Sequence, residues 1–370
     1  MSFFWYNHRI IADYLRAKFQ TAAIDEYVLG NESCKKLRQL NHCFSNSPWG
    51  VQHDITGHVK HPFDIAIKNR YQYTNEERSF TQISLDTADK IIKLTDRPIA
   101  VFWSGGIDST VALSALAQQI TDQKRLTVVC NQHSIDEFPS MFAEKIKGRM
   151  SFISPAEWDA NKKDYFSVTG DGGDTVWGVI DDSFWHSNHD RFDFAWQDCI
   201  DHSKINDLEF VEEFCSWSGV DIKSWLDLRI WFYLCCKWQD KCMRPYYLRQ
   251  GVTDKDIVSF YDIDCSFQNW TMNNLDKIIG KQWEKYKVPA KEFIYQYHDD
   301  IEYLKSKSKV DSDGLNPGLI SKTSLQSYMR IVVPENYNDK ILPSWPFVDY
   351  AEIEDFNDEF QLIPCELLQV

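Results

Sequence analysis

Two short stretches carry residue types and spacings that can do chemistry. The first is Ser104-Gly105-Gly106-Ile107-Asp108-Ser109, directly after the apolar run Ile99 to Trp103. Two adjacent glycines let a backbone turn tightly and keep Cβ atoms out of a ligand's way. Successive N–H groups at such a turn, with a helix beginning just beyond, form a nest for an anion. Ser104 and Ser109 add hydroxyl donors, and Asp108 can hold a cation against a bound phosphate. The second stretch is Thr169-Gly170-Asp171-Gly172-Gly173-Asp174-Thr175. By itself it is also compatible with a calcium-type or Asp-Gly turn. Beside the first stretch it suggests that Asp108 and Asp174 share Mg2+ bridging a triphosphate.

The elements that must position these stretches follow from hydrophobic pattern. Residues 85–94 read as a helix, 97–103 as a first strand, and 110–120 as a helix of small residues able to lie close to a sheet. A second strand is expected over 125–131, a helix over 136–146, a third strand over 150–153 and a fourth over 165–169. This alternation predicts an α/β fold built on a parallel sheet with helices on both faces. Ligands of such sheets sit beyond the carboxyl ends of the strands, where both motifs fall. After Trp177 the strand signal fades. A stripe of Trp225, Leu228, Phe232 and Cys235 or Cys236 marks a core helix, and further helices are expected over 274–286 and 291–304.

The chain thus divides on sequence into a small N-terminal α+β region (1–84), a central domain (85–314, α/β to about 180 and then helical), and a loop-rich acidic extension (315–370). Within the first region, 14–27 reads as a helix and 63–73 partly as a strand. His42, Cys43, His53, His58 and His61 fit no familiar zinc spacing and read as surface loop residues. A net charge of −15 argues against a general nucleic-acid binder. No apolar run approaches the about 20 residues that span a bilayer, and no signal peptide is recognisable. Ten cysteines without C-x-x-C pairs suggest reduced thiols and a cytoplasmic protein with no membrane association.

Taken together, the two motifs resemble those of the PP-loop ATP pyrophosphatases, specifically the synthetase domain of the asparagine synthetase family. The S-G-G-x-D-S motif of that family is matched in full at Ser104 to Ser109. Its S-G-E-G-x-D-E motif is matched in form, with Thr169, Asp171 and Thr175 replacing Ser, Glu and the last acid. Weaker echoes are Asp240-Lys241-Cys242-Met243, Phe260-Tyr261-Asp262 and Lys287-Val288-Pro289-Ala290-Lys291. Lys307, followed by Asp313-Gly314, is similar to the catalytic-lysine loop, with Lys305 and Lys309 as rivals.

The resemblance implies an adenine nucleotide alpha hydrolase-like sheet of the five-stranded type, with ATP and Mg2+ as cofactors. It implies that a carboxylate is adenylated, releasing pyrophosphate, and that its acyl group passes to ammonia or an amine. Ser104, Gly105, Gly106, Asp108 and Ser109 would bind pyrophosphate, and Phe102, Val129, Thr169 and Gly170 would border adenosine. Asp108 and Asp174 would hold metal, Asp171 would position or deprotonate the amine, and Lys307 would neutralise developing charge. The family's glutaminase domain carries a cysteine directly after the initiator methionine. Here Ser2 stands in that place and about 90 residues precede the sheet, so ammonia is expected free, from a separate partner protein, or replaced by a substrate amine. The same motifs also fit two other functions: a PP-loop enzyme modifying a nucleobase or tRNA, and a degenerate ATP-binding protein without catalysis.

Overall fold

The computed structural model describes residues 2–7, 32–44, 54–59, 64–65, 69–178, 189–247, 256–278, 287–307 and 328–333. The chain separates into two compact units, each assembled from distant segments: Tyr71–Ile180 with Asp254–Gly318, and Met1–Arg70 with Asp181–Thr253 and Leu319–Val370. This partition interleaves along the sequence, whereas the segments 1–84, 85–314 and 315–370 are consecutive.

The first unit holds a five-stranded, all-parallel sheet with helices around it. Its strands are β1 (Ile99–Phe102), β2 (Leu126–Val129), β3 (Ser151–Ile153), β4 (Phe166–Thr169) and β5 (Ile257–Ser259), in the spatial order β3-β2-β1-β4-β5. Val101 pairs with Val128 on one side and with Val168 on the other, so β1 is central. Every residue of β1, β2 and β4 is buried, the small polar residues Thr127, Ser167 and Thr169 included, and β1 reads as an unbroken apolar run. Chain order runs outward from β1 through β2 to β3, then resumes on the other side at β4. The gap between the ends of β1 and β4 is therefore the switch point of the sheet.

The helices of this unit used below are α1 (Phe80–Leu94), α2 (Ile107–Gln119), α3 (Gln132–Glu137), α4 (Pro155–Ala160), α5 (Gly173–Val176), α6 (Ser266–Asn273), α7 (Val288–His298) and α8 (Ile301–Ser306). A capping box of Ser79 and Gln82 starts α1 five residues before the expected 85. Val111, Ala112, Ala115 and Ala117 let α2 bury against the sheet, and α7 packs on α2 and α1. The helix expected over 136–146 is broken: Pro139 ends α3, and short helical turns at Pro139–Met141 and Phe142–Ile146 follow. Strand β5 lies in the stretch where the sequence shows no strand signal. It is only three residues long, too short for a periodic pattern.

In the second unit, the expected core stripe is a helix, Trp225–Tyr247, with Trp225, Leu228, Phe232, Cys235 and Cys236 buried. Phe44 on the helix Glu32–Phe44 meets Trp225 at 4.7 Å between ring centroids. Among the described residues of the strand read over 63–73, Asp64–Ile65 is strand and 69–73 is not. It and Ser2–Asn7 flank Tyr328–Val333, the middle strand of an antiparallel sheet inside the segment read as loop-rich. His42 lies on a helix rather than a loop, and His58 stacks on Trp217. His53, His61 and the helix expected over 14–27 lie outside the described residues. The described cysteines are free thiols. Among the described residues no helix is long and apolar enough to cross a membrane.

Candidate functional site

The loop after β1 is shaped by Gly105. Its φ of +79° is one that only glycine adopts without strain, and a Cβ there would lie 2.5 Å from the Ser134 carbonyl oxygen and 2.6 Å from Glu137 Cβ. At Gly106 an added Cβ would meet only Ser104 Oγ, at 3.2 Å. The chain enters α2 at Ile107, three residues before the start expected at 110, which puts Asp108 in the first helical turn. No side chain caps α2 at Gly106, and an uncapped helix start is a place where an anion can bind. Ser109 Oγ accepts from the Ser104 N–H (3.1 Å), shares a hydrogen bond with Ser104 Oγ (2.9 Å) and donates to the Gly106 carbonyl (3.1 Å). Both expected hydroxyl donors thus sit together inside a preformed turn.

The loop after β4 interlocks with the first. A Cβ on Gly170 would fall 2.7 Å from the Ser109 nitrogen, and one on Gly173 would fall 2.5 Å from Asp108 Cγ. Gly172, at φ +87°, turns the chain into the short helix α5, whose first turn holds Asp174. Two β5 neighbours tie the arrangement down. Ser259 Oγ donates to the Asp171 carbonyl (2.6 Å), and the Tyr261 hydroxyl donates to the Asp108 carbonyl (3.2 Å). Burial first, and the charge of Asp108 second, push the Tyr261 phenol well above its ordinary value, so it stays a donor.

The residue that joins the two loops is Lys287. Its Nζ lies 2.6 and 2.8 Å from the two Asp108 carboxylate oxygens and 2.6 Å from Asp174 Oδ1. The Lys287 side chain is only 4% exposed, against 40% for Asp174. Lys287 also holds φ +53°, a left-handed value rare for a side chain of this size, at the residue preceding α7. Such strain persists only where the surroundings over-determine it, and here buried ion pairs do so. Burial pushes the Asp108 carboxyl up to about 6, opposed by Lys287 and reinforced by Asp174. The sequence flags Lys287 only as the first residue of a weak K-x-P echo. Its 113-residue separation from Asp174 leaves no local pattern to find.

Lys307 follows α8 and pairs with Glu137 Oε1 at the end of α3, beside Gly105. Its ammonium lies 6.0 Å from the Tyr303 ring centroid, and that ring stacks on Phe138 at 3.9 Å. The arm formed by α7 and α8 is clasped to the preceding segment where Ser140 Oγ donates to Asp300 Oδ2 (2.6 Å) and contacts His298 Nε2 (3.2 Å). Lys307 is thus held at the rim of the first loop rather than within the Asp108–Lys287–Asp174 cluster. Lys305 is exposed, and Lys309 lies outside the described residues. Thr169 is buried, while Gly170 and Asp171 are partly exposed. The side chains of Phe102 and Val129 are core: Val129 is fully buried and Phe102 packs edge-on against Trp158 at 4.7 Å. Neither side chain offers a face to a base.

The chemistry of this donor set fits a hard cation and an anionic chain. Two carboxylates converge on one positively charged point, the oxygen-donor arrangement that magnesium accepts. Glycines at 105, 170 and 173 fill space that any Cβ would occupy, leaving two loops whose backbones are packed into one floor. Asp108 and Asp174 could hold Mg2+, and the start of α2 with Ser104 and Ser109 could hold phosphate. No protein-family model matches this chain, and no curated protein matches it.

Proposed function

We propose that this chain binds ATP at the switch point between β1 and β4 and uses it to activate a carboxylate for amide formation. In this reading the sheet belongs to the adenine nucleotide alpha hydrolase-like class and the enzyme is an AMP-forming carbon–nitrogen ligase of asparagine synthetase type. The observation that carries the reading is the convergence of two glycine-rich loops, from the neighbouring strands β1 and β4, on Asp108, Asp174 and Lys287.

A carboxylate resists attack by an amine because its oxygen is a poor leaving group. In the proposed reaction a carboxylate oxygen attacks the α-phosphorus of ATP, and the bond to the bridging oxygen breaks to release pyrophosphate. An amine then adds to the acyl carbon, loses a proton and expels AMP. The first turn of α2 binds the β- and γ-phosphates, where fixed dipoles act on charge as it builds. Asp108 and Asp174 would hold Mg2+, which would supply neutralisation of phosphate charge. Lys287, held between Asp108 and Asp174, shifts its ammonium from the carboxylates to the departing pyrophosphate in this reading. Asp171, whose backbone Ser259 anchors, positions the amine and accepts its proton. Lys307, released from Glu137, neutralises the acyl-adenylate or the tetrahedral intermediate. Adenosine borders Thr169 and Gly170 and the carboxyl ends of β1 and β2, where Phe102 and Val129 offer backbone only. The nitrogen comes from ammonia, from a separate ammonia-supplying protein, or from an amine substrate.

Pyrophosphate exchange into ATP, measured across a panel of carboxylates with and without ammonium, tests this directly. Carboxylate-dependent exchange with AMP release is the expected result. Nucleotide binding without exchange for any carboxylate would instead favour a non-catalytic ATP-binding protein, and absence of nucleotide binding would remove both readings.

A further inference from the structure

Three features define how the Asp108–Asp174 pair meets a cation. The ammonium of Lys287 already touches three carboxylate oxygens at 2.6 to 2.8 Å. Its side chain is almost completely buried, so water contributes little screening. Its backbone is fixed, since the Lys287 carbonyl accepts from the Lys291 N–H (3.0 Å) as α7 begins and φ sits at +53°. The side chain then leaves the pair only for another group of negative charge.

We propose that Lys287 is a resident counter-ion that keeps free divalent metal off Asp108 and Asp174, and that it yields only to metal delivered with a polyphosphate. The charge count supports this order. Asp108, Asp174 and Lys287 sum to −1. A bare divalent ion would raise that to +1 and would set two cations side by side in a buried space, where like charges repel strongly. A triphosphate arriving with the metal supplies oxygens for both cations and returns the sum to a negative value. Metal binding and triphosphate binding are then coupled through one side chain, and that coupling is reciprocal. The inference deepens the ATP-site reading and rests on it for the identity of the polyphosphate.

Mn2+ uptake, followed by loss of the free-ion electron paramagnetic resonance signal, tests it on the full chain. Wild type is expected to leave Mn2+ alone free, and to take up one ion per chain with at least tenfold higher affinity when inorganic tripolyphosphate or a non-hydrolysable ATP analogue is present. Lys287→Gln is expected to bind Mn2+ alone at least tenfold more tightly than wild type, and to gain thermal stability from Mn2+ where wild type does not. Adding Asp174→Asn should abolish that uptake, which places the ion at the pair. Wild type binding Mn2+ alone as tightly as with tripolyphosphate overturns the proposal, even if Lys287→Gln fails to fold. Uptake with tripolyphosphate but not with the ATP analogue keeps the counter-ion role and removes ATP as the ligand.

Discussion

Lys287 Nζ lies 2.6 Å from Asp108 Oδ2, although 179 residues separate the two in the chain. That contact ties the first turn of α2 to the start of α7, and its second arm reaches Asp174 on α5. A single ammonium thus holds three backbone segments in register.

Lys287→Met should lower the unfolding free energy by about 3 kcal/mol, the low end for breaking a buried ion pair because Asp174 is partly exposed. Adding Asp174→Asn should recover part of that loss, since one fewer carboxylate is then left without a cation. Urea unfolding of the two single variants and the double variant gives the coupling. A coupling below about 0.5 kcal/mol, the level at which independent sites simply add, would deny the contact its structural role.

The glycines should rank by what a Cβ would strike. Gly105→Ala combines a left-handed φ with a backbone clash at Ser134, and should cost more than about 2 kcal/mol. Gly106→Ala meets only a serine hydroxyl and should cost less than about 1 kcal/mol. Gly173→Ala pushes against Asp108 Cγ, so it should displace the carboxylate and weaken Mn2+–tripolyphosphate uptake more than it weakens the fold. Denaturation midpoints beside metal-uptake curves for the three variants check the order.

The raised Asp108 carboxyl fixes the sign of a pH effect. Its ordinary value is 3.8 and burial lifts it to about 6 in the folded chain, so the folded state holds its proton more tightly. The stability that this group contributes is full below about pH 3.8 and is lost as pH rises through about 6. Wild type should therefore lose stability relative to Asp108→Asn between pH 4 and pH 7.5, measured by urea unfolding at each pH. The opposite slope would mean that the attraction of Lys287 outweighs burial.

Glu137→Gln removes the charge that holds Lys307 beside Gly105. If Lys307 serves phosphate, freeing it should tighten nucleotide binding by about fivefold, or about 1 kcal/mol. Lys307→Met in the same background should cancel that gain. Fluorescence titration with a labelled ATP analogue reads both, and an unchanged affinity in Glu137→Gln would leave Lys307 as a structural partner of α3.

Much of the sheet is legible in the sequence, because β1, β2 and β4 are buried and rich in apolar residues, and β1 and β4 run into glycine-rich turns. The two loops are legible for a related reason: serine, glycine and aspartate at fixed offsets leave few alternatives to a turn that exposes backbone N–H groups. What escapes notice is short or distant. Strand β5 has three residues, and the residues just after it, including Tyr261, supply a hydrogen bond to the Asp108 backbone that no periodicity announces. The strand Tyr328–Val333 pairs with segments hundreds of residues away, so its surroundings in the chain look like loop.

By itself, then, the sequence determined that a parallel sheet would present two glycine-rich corners bearing Asp108 and Asp174, since local sterics and burial act over a few residues. Only the tertiary structure decided that those corners interlock through Gly170 and Gly173, that Lys287 bridges their carboxylates, and that Lys307 rests on Glu137. The reason is physical: ion pairs and van der Waals contacts depend on distance in space, and residues more than a hundred positions apart reach that distance only through the packing of α7 and α8 against the sheet unit.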